Sequence, residues 1–343
     1  MAYGSSELDI AASTYDTWIN EGNNAVDLMS AHNQLVAVLW ERSEETGDSF
    51  NFKRSGVAEG GKFKLTHYGN QNTTVDGVTR ANQVTAFTPT VPGAGGQASI
   101  LTNAYYEWTH YQGICFFNVE DLKKNQGKAA VIDFASAIKQ QMIHSFYVEM
   151  GDDLWDGNVG AIDKLQSVTQ CLKNTGTVGG IDQSSSDNLY WQAQTDSTAE
   201  VFNFFTFDTL RDACVHDTGV STGITGEPDC SFMPGQLYAK ARQDLKVSQR
   251  VEVSNTLKGG AKYLEYDGCR LFRETKMTAG ECVILNSATW AFRYDTAAPE
   301  PTTEGFIQDP LRPSIKIRQA NWFVGLGCIS PKHNAWMSNK RGS

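Results

Sequence analysis

The chain has 343 residues and a mass of 37.7 kDa, with 40% hydrophobic, 11% aromatic and 20% charged residues. That size accommodates one large domain or two to three smaller ones, and the composition excludes whole-chain disorder, collagen and coiled coil. The net charge of −10 argues against a sequence-reading nucleic-acid binder. No apolar run approaches the roughly 20 residues that span a bilayer, and the opening Met1–Glu7 has no signal-peptide core. A soluble protein of a reducing compartment, with no membrane partner, is expected.

A chain this long buries about three-quarters of its unfolded surface, so its core needs no disulfide staples. The seven cysteines (Cys115, Cys171, Cys214, Cys230, Cys269, Cys282, Cys328) are odd in number, and the closest pair is 13 residues apart. That spacing fits neither a disulfide framework nor a zinc knuckle, and buried, idle thiols are expected.

Charge is unevenly placed. Residues 1–50 hold nine acids and a single base, Arg42, whereas the residues after Asp309 hold no acid and six bases: Arg312, Lys316, Arg318, Lys332, Lys340 and Arg341. Two solvated ends are the plain reading. The sharper one is that one subunit's acidic start meets a neighbour's basic end.

In chain order, residues 1–22 are polar and acidic with scattered anchors (Leu8, Ile10, Tyr15, Trp18), a segment that must lie along something else. Residues 23–45 predict an amphipathic helix through Val26, Met29, Leu35, Val36, Leu39 and Trp40. From Gly56 to Gly96 there are eight glycines and few large apolar side chains, and the start alternates Phe63, Leu65 and His67 against Lys62, Lys64 and Thr66. A stretch this long without a helix pattern predicts an extended hairpin projecting from the body and packing on a partner. Tyr105–Asn118 predicts an aromatic-rich strand.

Lys128–Met150 is the clearest element: Val131, Phe134, Ala135, Ile138, Met142, Phe146 and Met150 fall at helical spacing without proline, giving a helix about 35 Å long. Further helices are predicted near Phe207–His216 and Gly235–Leu245. Strands are predicted at Val247–Val253, Lys262–Tyr266, Glu281–Leu285 and Trp290–Tyr294. Two more, Ile315–Arg318 and Trp322–Ile329, follow the proline-rich Ala297–Pro313. Helices and strands are grouped rather than alternating, which is α+β, and no repeat of 20–50 residues suggests a solenoid.

Few motifs carry chemistry. Gly56–Phe63 nearly matches a phosphate-binding loop, but Phe63 stands where the magnesium-binding hydroxyl belongs and an alternating strand follows where a helix is needed. Asp152–Asn158 hints at a calcium loop but lacks acids at alternate positions and the closing glutamate. These acids with Gly157 are expected to end the long helix, although acids there oppose its dipole. The histidines (His32, His67, His110, His144, His216, His333) show no metal-binding spacing, and there is no G-x-S-x-G. No catalytic, cofactor-binding or metal-binding residue, and no cofactor, is assigned.

The order of elements (an acidic arm with a short helix, a long polar hairpin, a solitary long helix, a mixed lobe and a returning strand) resembles the major capsid protein of tailed bacteriophages, the Hong Kong 97-type fold. Locally, Asn118-Val119-Glu120 and Asn125-Gln126-Gly127 leading into Ile132-Asp133 resemble the family's lead-in to its long helix. Gly179-Gly180-Ile181-Asp182 with Trp191 resembles the segment after it, and Tyr263–Arg273 with Gly280–Asn286 resembles an axial-domain hairpin. The resemblance covers roughly residues 8–336 and rests on order rather than on any single motif.

It implies an N-terminal arm at 1–48, an extended loop at 49–104, a peripheral domain at 105–200 built on a spine helix 128–150, an axial domain at 201–295, and a return to the peripheral domain with the C-terminus at 296–343. It implies a structural, non-enzymatic coat protein of the virion, assembled in the host cytoplasm. Hexamers and pentamers would form an icosahedral shell around double-stranded DNA, with portal protein and a possible cement or decoration protein as partners. Because the arm begins at Met1, a separate scaffolding protein is expected. Some members weld subunits through a Lys–Asn bond; neither Lys62 nor Lys64 aligns to the reacting lysine, and no crosslink is expected. The alternatives are an encapsulin-like compartment, separable by nucleic-acid content, and a soluble nucleotide-binding enzyme, separable by nucleotide-dependent stabilisation.

Overall fold

The computed structural model describes residues 33–46, 52–55, 62–68, 72–75, 78–81, 101–118, 128–160, 163–185, 188, 191–215, 227–247, 254–256, 262–295, 302–303, 307–308, 312 and 315–342. Expectations for residues 1–32, including the acidic arm and the first part of the predicted 23–45 helix, lie outside these. The described helix, α1, is Gln34–Thr46. Leu35 to Leu39 are buried at five successive positions, so its first turns are enclosed on all sides by its own chain.

β1 (Phe52–Ser55) joins the first sheet by pairing parallel with the later strand Trp290–Asp295, and the hairpin itself runs from β2 (Lys62–Tyr68) through the small hairpin β3 (Asn72–Val75) and β4 (Val78–Ala81) and returns as β5 (Leu101–Glu107). β2 and β5 pair antiparallel from Lys62↔Glu107 to Tyr68↔Leu101. β6 (Thr109–Asn118) follows after Trp108, so the predicted Tyr105–Asn118 strand is two strands. The long helix α2 is Lys128–Trp155, 28 residues, or about 42 Å. It runs past the expected end at Met150 because Leu154 and Trp155 are buried and Trp155 packs on Phe232 at 5.3 Å. Gly157 (φ +80°) follows its last turn.

Two sheets organise the rest. The first is built on one long strand. β16 (Trp290–Asp295), β17 (Thr302–Thr303) and β18 (Ile307–Gln308) pair with β19 (Ile315–Cys328), and β6 pairs with it from Ile315↔Asn118 to Val324↔Thr109. The predicted strands Ile315–Arg318 and Trp322–Ile329 are therefore one. The polar Gln319-Ala320-Asn321 between them keeps its pairing to β6, because polarity changes which face is wet without breaking a ladder.

Alternation along β19 explains its glycines. Trp322, Val324, Leu326 and Cys328 are buried, and Trp322 meets Tyr147 of α2 edge to face. Gly325 and Gly327 point to the opposite face, where the hairpin base lies. A Cβ at Gly327 would stand 2.7 Å from Tyr106 and 2.8 Å from Leu65, and one at Gly325 would run into Phe63. Phe63, Leu65, Ala104 and Tyr106 are all buried there. The base of the hairpin thus packs on its own body, which corrects the expectation that the whole hairpin needs a partner.

The remaining elements are α3 (Val168–Leu172), α4 (Phe204–Cys214) and α5 (Gly235–Val247), the two-stranded pairs β7 (Thr177–Val178) with β8 (Ile181–Asp182) and β10 (Glu200–Val201) with β21 (Lys340–Arg341), and the second sheet, made of β9 (Gln194–Asp196), β11 (Cys230–Met233), β12 (Ser254–Thr256), β13 (Lys262–Tyr266), β14 (Cys269–Arg273), β15 (Cys282–Leu285) and β20 (Ala335–Met337). Its order is β12-β13-β14-β11-β15-β20-β9. The period of two sends Cys230, Phe232, Val283 and Leu285 into a large core shared with α1, α2 and the first sheet. Met233, Leu271, Cys282 and Ile284 enter a smaller core under α4 and α5.

Val247, predicted to open a strand, instead closes α5, whose Leu237, Ala241 and Leu245 keep a helical period into the smaller core. The β13–β14 hairpin turns on Asp267 (φ +47°) and Gly268 (φ +75°), the pairing that a two-residue turn with right-handed strand twist requires.

Candidate assembly surfaces

Helix α1 is fixed to the second sheet by charge. Glu41 accepts from Arg270 at 2.9 Å; Arg270 also reaches Asp229 at 3.1 Å, and Arg42 lies 3.7 Å from Asp229 and 3.0 Å from Ser287. Asp229 accepts from the Ser287 amide (2.7 Å) and hydroxyl (2.6 Å) as well. Nearby, the buried Asn334 joins the two sheets. Its Oδ1 accepts from the Asn286 amide (2.9 Å) and Trp290 Nε1 (3.0 Å), and its Nδ2 donates to Thr289 Oγ1 (3.0 Å) and Ser330 O (2.9 Å).

The terminal charges are partly spent at home. Lys340, one of the six late bases, has a fully buried side chain that donates to Asp196 (2.6 Å), Glu200 (2.9 Å) and the Thr198 carbonyl (3.0 Å). Partial burial opposes ionisation of Asp196, but hydrogen bonds from Lys340 and Thr198 outweigh it and hold the carboxyl below its ordinary value. Hydrogen bonds from Lys340 and then Thr206 do the same for Glu200. Lys340 and Glu41 are therefore removed from the pairing expected between one subunit's start and another's end.

The near-match phosphate loop falls apart as chemistry. Gly56–Gly61 lie outside the described residues, Lys62 begins a strand and pairs with Glu107 at 2.9 Å, and Phe63 is in the core. Lys64 is exposed. The acids of Asp152–Asn158 diverge. Asp152 pairs with Lys276 (2.6 Å), and Asp156 with Lys164 (3.5 Å) while accepting from the Asn158 amide (2.8 Å).

Asp153 turns inward, accepting from the Tyr111 hydroxyl (2.5 Å) and the Leu165 amide (3.3 Å). Burial pushes its carboxyl up, against those two hydrogen bonds, with Asp156 and Glu149 adding to the rise. Nothing in the sequence marked Asp153 or Lys340 as interior. His110 stacks on Phe323 at 4.3 Å, His333 lies 3.2 Å from the Cys214 carbonyl, and His144 is exposed; the side chains of His32, His67 and His216 lie outside the described residues. All seven cysteines are free and buried, and burial pushes Cys214, Cys282 and Cys328 up to about 12.

What the surface offers is apolar. Phe205, at the start of α4, is 82% exposed, and Phe116 and Ile114 of β6 are 61% and 46% exposed. β6 and the flank of α2 border an open groove of about 750 Å³. Among the described residues, no helix is long and apolar enough to cross a membrane, and no group of three potential metal ligands gathers.

No family model and no curated protein matches the sequence. Solved structures do match. A chain of the Cyanophage A-1(L) capsid aligns with a TM-score of 0.57 at 10% identity, over 82% of this chain and 89% of that one. A chain from the capsid of an empty GTA particle aligns at 0.54 and 11% identity, over 83% and 87%. The holo-SrpI encapsulin complex of Synechococcus elongatus PCC 7942 aligns at 0.45 and 11%, over 83% and 84%. The chain has the fold of tailed-phage major capsid proteins.

Proposed function

We propose that the chain is the repeating subunit of a tailed-phage head. Many copies form hexamers and pentamers that close into an icosahedral shell around double-stranded DNA, with no enzymatic role. The observation that carries this reading is the layering of one long helix and one hairpin base on opposite faces of the β19 sheet, a framework alignable with the cyanophage capsid chain over most of its length.

In Hong Kong 97 terms, residues 1–48 are the arm, 49–104 the extended loop, 105–200 the peripheral domain and 201–295 the axial domain. The return begins at 296. Pairing of β20 with β15 and β9, and of β21 with β10, favours giving residues 335–341 to the axial lobe and ending the peripheral return near Ser330. A net charge of −10 suits a wall that must not hold the genome tightly. Scaffolding, portal and decoration proteins are the partners this reading brings, and the virion, assembled in the host cytoplasm, is its location.

Electron microscopy of the purified full chain, with its ultraviolet absorbance ratio, tests it. Closed shells and capsomers are expected, with nucleic acid in particles from infected cells. A monodisperse monomer at high concentration overturns it, and shells filled with enzyme instead of nucleic acid would move the chain to an encapsulin-like compartment.

A further inference from the structure

β6 pairs with β19 along one edge; among the described residues no strand lies on the other. Its ten residues, Thr-His-Tyr-Gln-Gly-Ile-Cys-Phe-Phe-Asn, contain no charge and no proline. Natural sheets blunt a long free edge with such residues, because an unguarded row of amides and carbonyls recruits other strands. Here the guard is missing.

The same edge borders the 750 Å³ groove, whose other wall is α2 through Met142, Phe146 and Glu149. Gly113 brings the two walls close: a Cβ there would stand 2.7 Å from Phe146. One end is closed where Thr109 Oγ1 donates to the Lys164 carbonyl at 3.0 Å, beside Asp163. Glu149 and Asp163 are both exposed, and no lysine or arginine lines the groove.

Charge decides between occupants. The opening segment of a second copy, residues 1–32, carries five acids and no base, so this acidic rim repels it. Of the six late bases, Lys316 and Arg318 lie within paired β19, Arg341 within β21 and Lys332 in the short helical turn Pro331–His333, Lys340 is buried on Asp196 and Glu200, and Arg312 stands between Pro310 and Pro313, which a full added strand does not tolerate.

We propose that the groove accepts, by strand addition to β6, an extended segment of a different protein, apolar at alternate positions and carrying a lysine or arginine where it meets Glu149 and Asp163. A strand set the usual 4.7–4.9 Å from β6 would place one row of side chains against Met142 and Phe146 and the other beside Ile114 and Phe116. Matching His110–Phe116 takes about seven residues, roughly 20 Å. The surface stands whether or not the chain builds shells.

The test uses the full chain and a synthetic eight-residue peptide of alternating valine and threonine with lysine at both ends, against a control ending in glutamate. The lysine peptide is expected to slow amide exchange across β6 at least tenfold and to bind at least fivefold tighter than the control. The double change Glu149→Gln with Asp163→Asn, both at exposed positions, should abolish that preference, and Ile114→Lys should abolish binding. Equal binding of the two peptides, or no slowing in β6, overturns the proposal. So does slow β6 exchange in assembled chain without peptide, which would give the edge to a second copy while leaving the shell reading, judged by microscopy, intact.

Discussion

Central and edge strands of the molecule are buried in different ways. β11 and β15, in the middle of the second sheet, are buried at every position because one face meets the large core and the other the smaller core under α4 and α5. On the described parts of β2 and β6, buried Phe63, Leu65, Tyr111 and Cys115 alternate with exposed Lys62, Lys64, Gln112, Ile114 and Phe116. A strand covered on both faces is complete within one chain. A strand covered on one face has a surface to offer, and in β6 that surface is apolar. The first kind of strand supplies stability and the second a surface for contact.

Asn334 tests whether the two sheets are one cooperative body. It sits just before β20 of the second sheet and accepts from Trp290, the first residue of β16 in the first. Asn334→Ala would take the acceptor from the Asn286 amide and the Trp290 indole, while the Thr289 hydroxyl keeps the Asn286 carbonyl and the Ser330 carbonyl keeps the His333 amide. At about 1–3 kcal/mol for each buried group left unpaired, with partial relaxation, a loss near 3 kcal/mol is expected in chemical denaturation. A loss under about 1 kcal/mol would show that the sheets do not depend on this joint.

A change at the hairpin base should act locally. Gly327→Val drives methyl groups into Tyr106 and Leu65 and endangers the 2.6 Å hydrogen bond from the Tyr106 hydroxyl to the Cys328 carbonyl. Overpacking of this kind costs about 1–3 kcal/mol. Limited proteolysis is expected to open the chain between Phe63 and Leu101 while the β11–β15 region keeps its exchange protection. Equal loss of protection in both regions would mean that the hairpin base is as integral to the fold as the second sheet.

The framework was legible from residue spacing and the docking was not. Val131 to Met150 mark α2 by period alone, and the alternation from Lys62 to His67 marks β2. By contrast, Gly325 and Gly327 are informative only once Phe63, Leu65 and Tyr106, more than 200 residues earlier, are known to lie on them. The same limit applies to charge. The acidic start and basic end are plain in the sequence, but a lysine three residues from the C-terminus reads as solvated, and only the fold shows Lys340 between Asp196 and Glu200. Asn334 is one asparagine among many until its four partners converge. Period and turn chemistry are local, whereas the joints and surfaces come from contacts between distant segments.

The Lys340 cluster yields a prediction with a sign. Its carboxylates titrate below their ordinary 3.8 and 4.5, so they contribute stability above those values and lose it as pH falls through the lowered folded-state values. Lys340→Met removes the attraction and leaves two carboxylates together. The variant is expected to be less stable at pH 7, and its deficit should shrink below about pH 4 as both carboxyls protonate. A deficit unchanged from pH 7 to pH 3 would mean that packing of the lysine stem, not its charge, is what the site uses.

The smallest effect on the isolated chain is expected where the proposed function has most at stake. Phe205 and Phe207 are two residues apart on α4, yet Phe205 is 82% exposed and Phe207 is fully buried against Phe202 and Tyr266. Phe207→Ser should cost about 3–5 kcal/mol, as truncation of a core phenylalanine does. Phe205→Ser should leave unfolding within about 0.5 kcal/mol. If Phe205 is an anchor between copies, its variant will fold normally and sediment as smaller species than the parent at equal concentration, because a desolvated aromatic contributes far more to an interface than to the free surface it leaves. Normal folding with unchanged assembly would make Phe205 one of the scattered apolar residues that any protein surface carries, and contact between copies would then have to be sought on other faces.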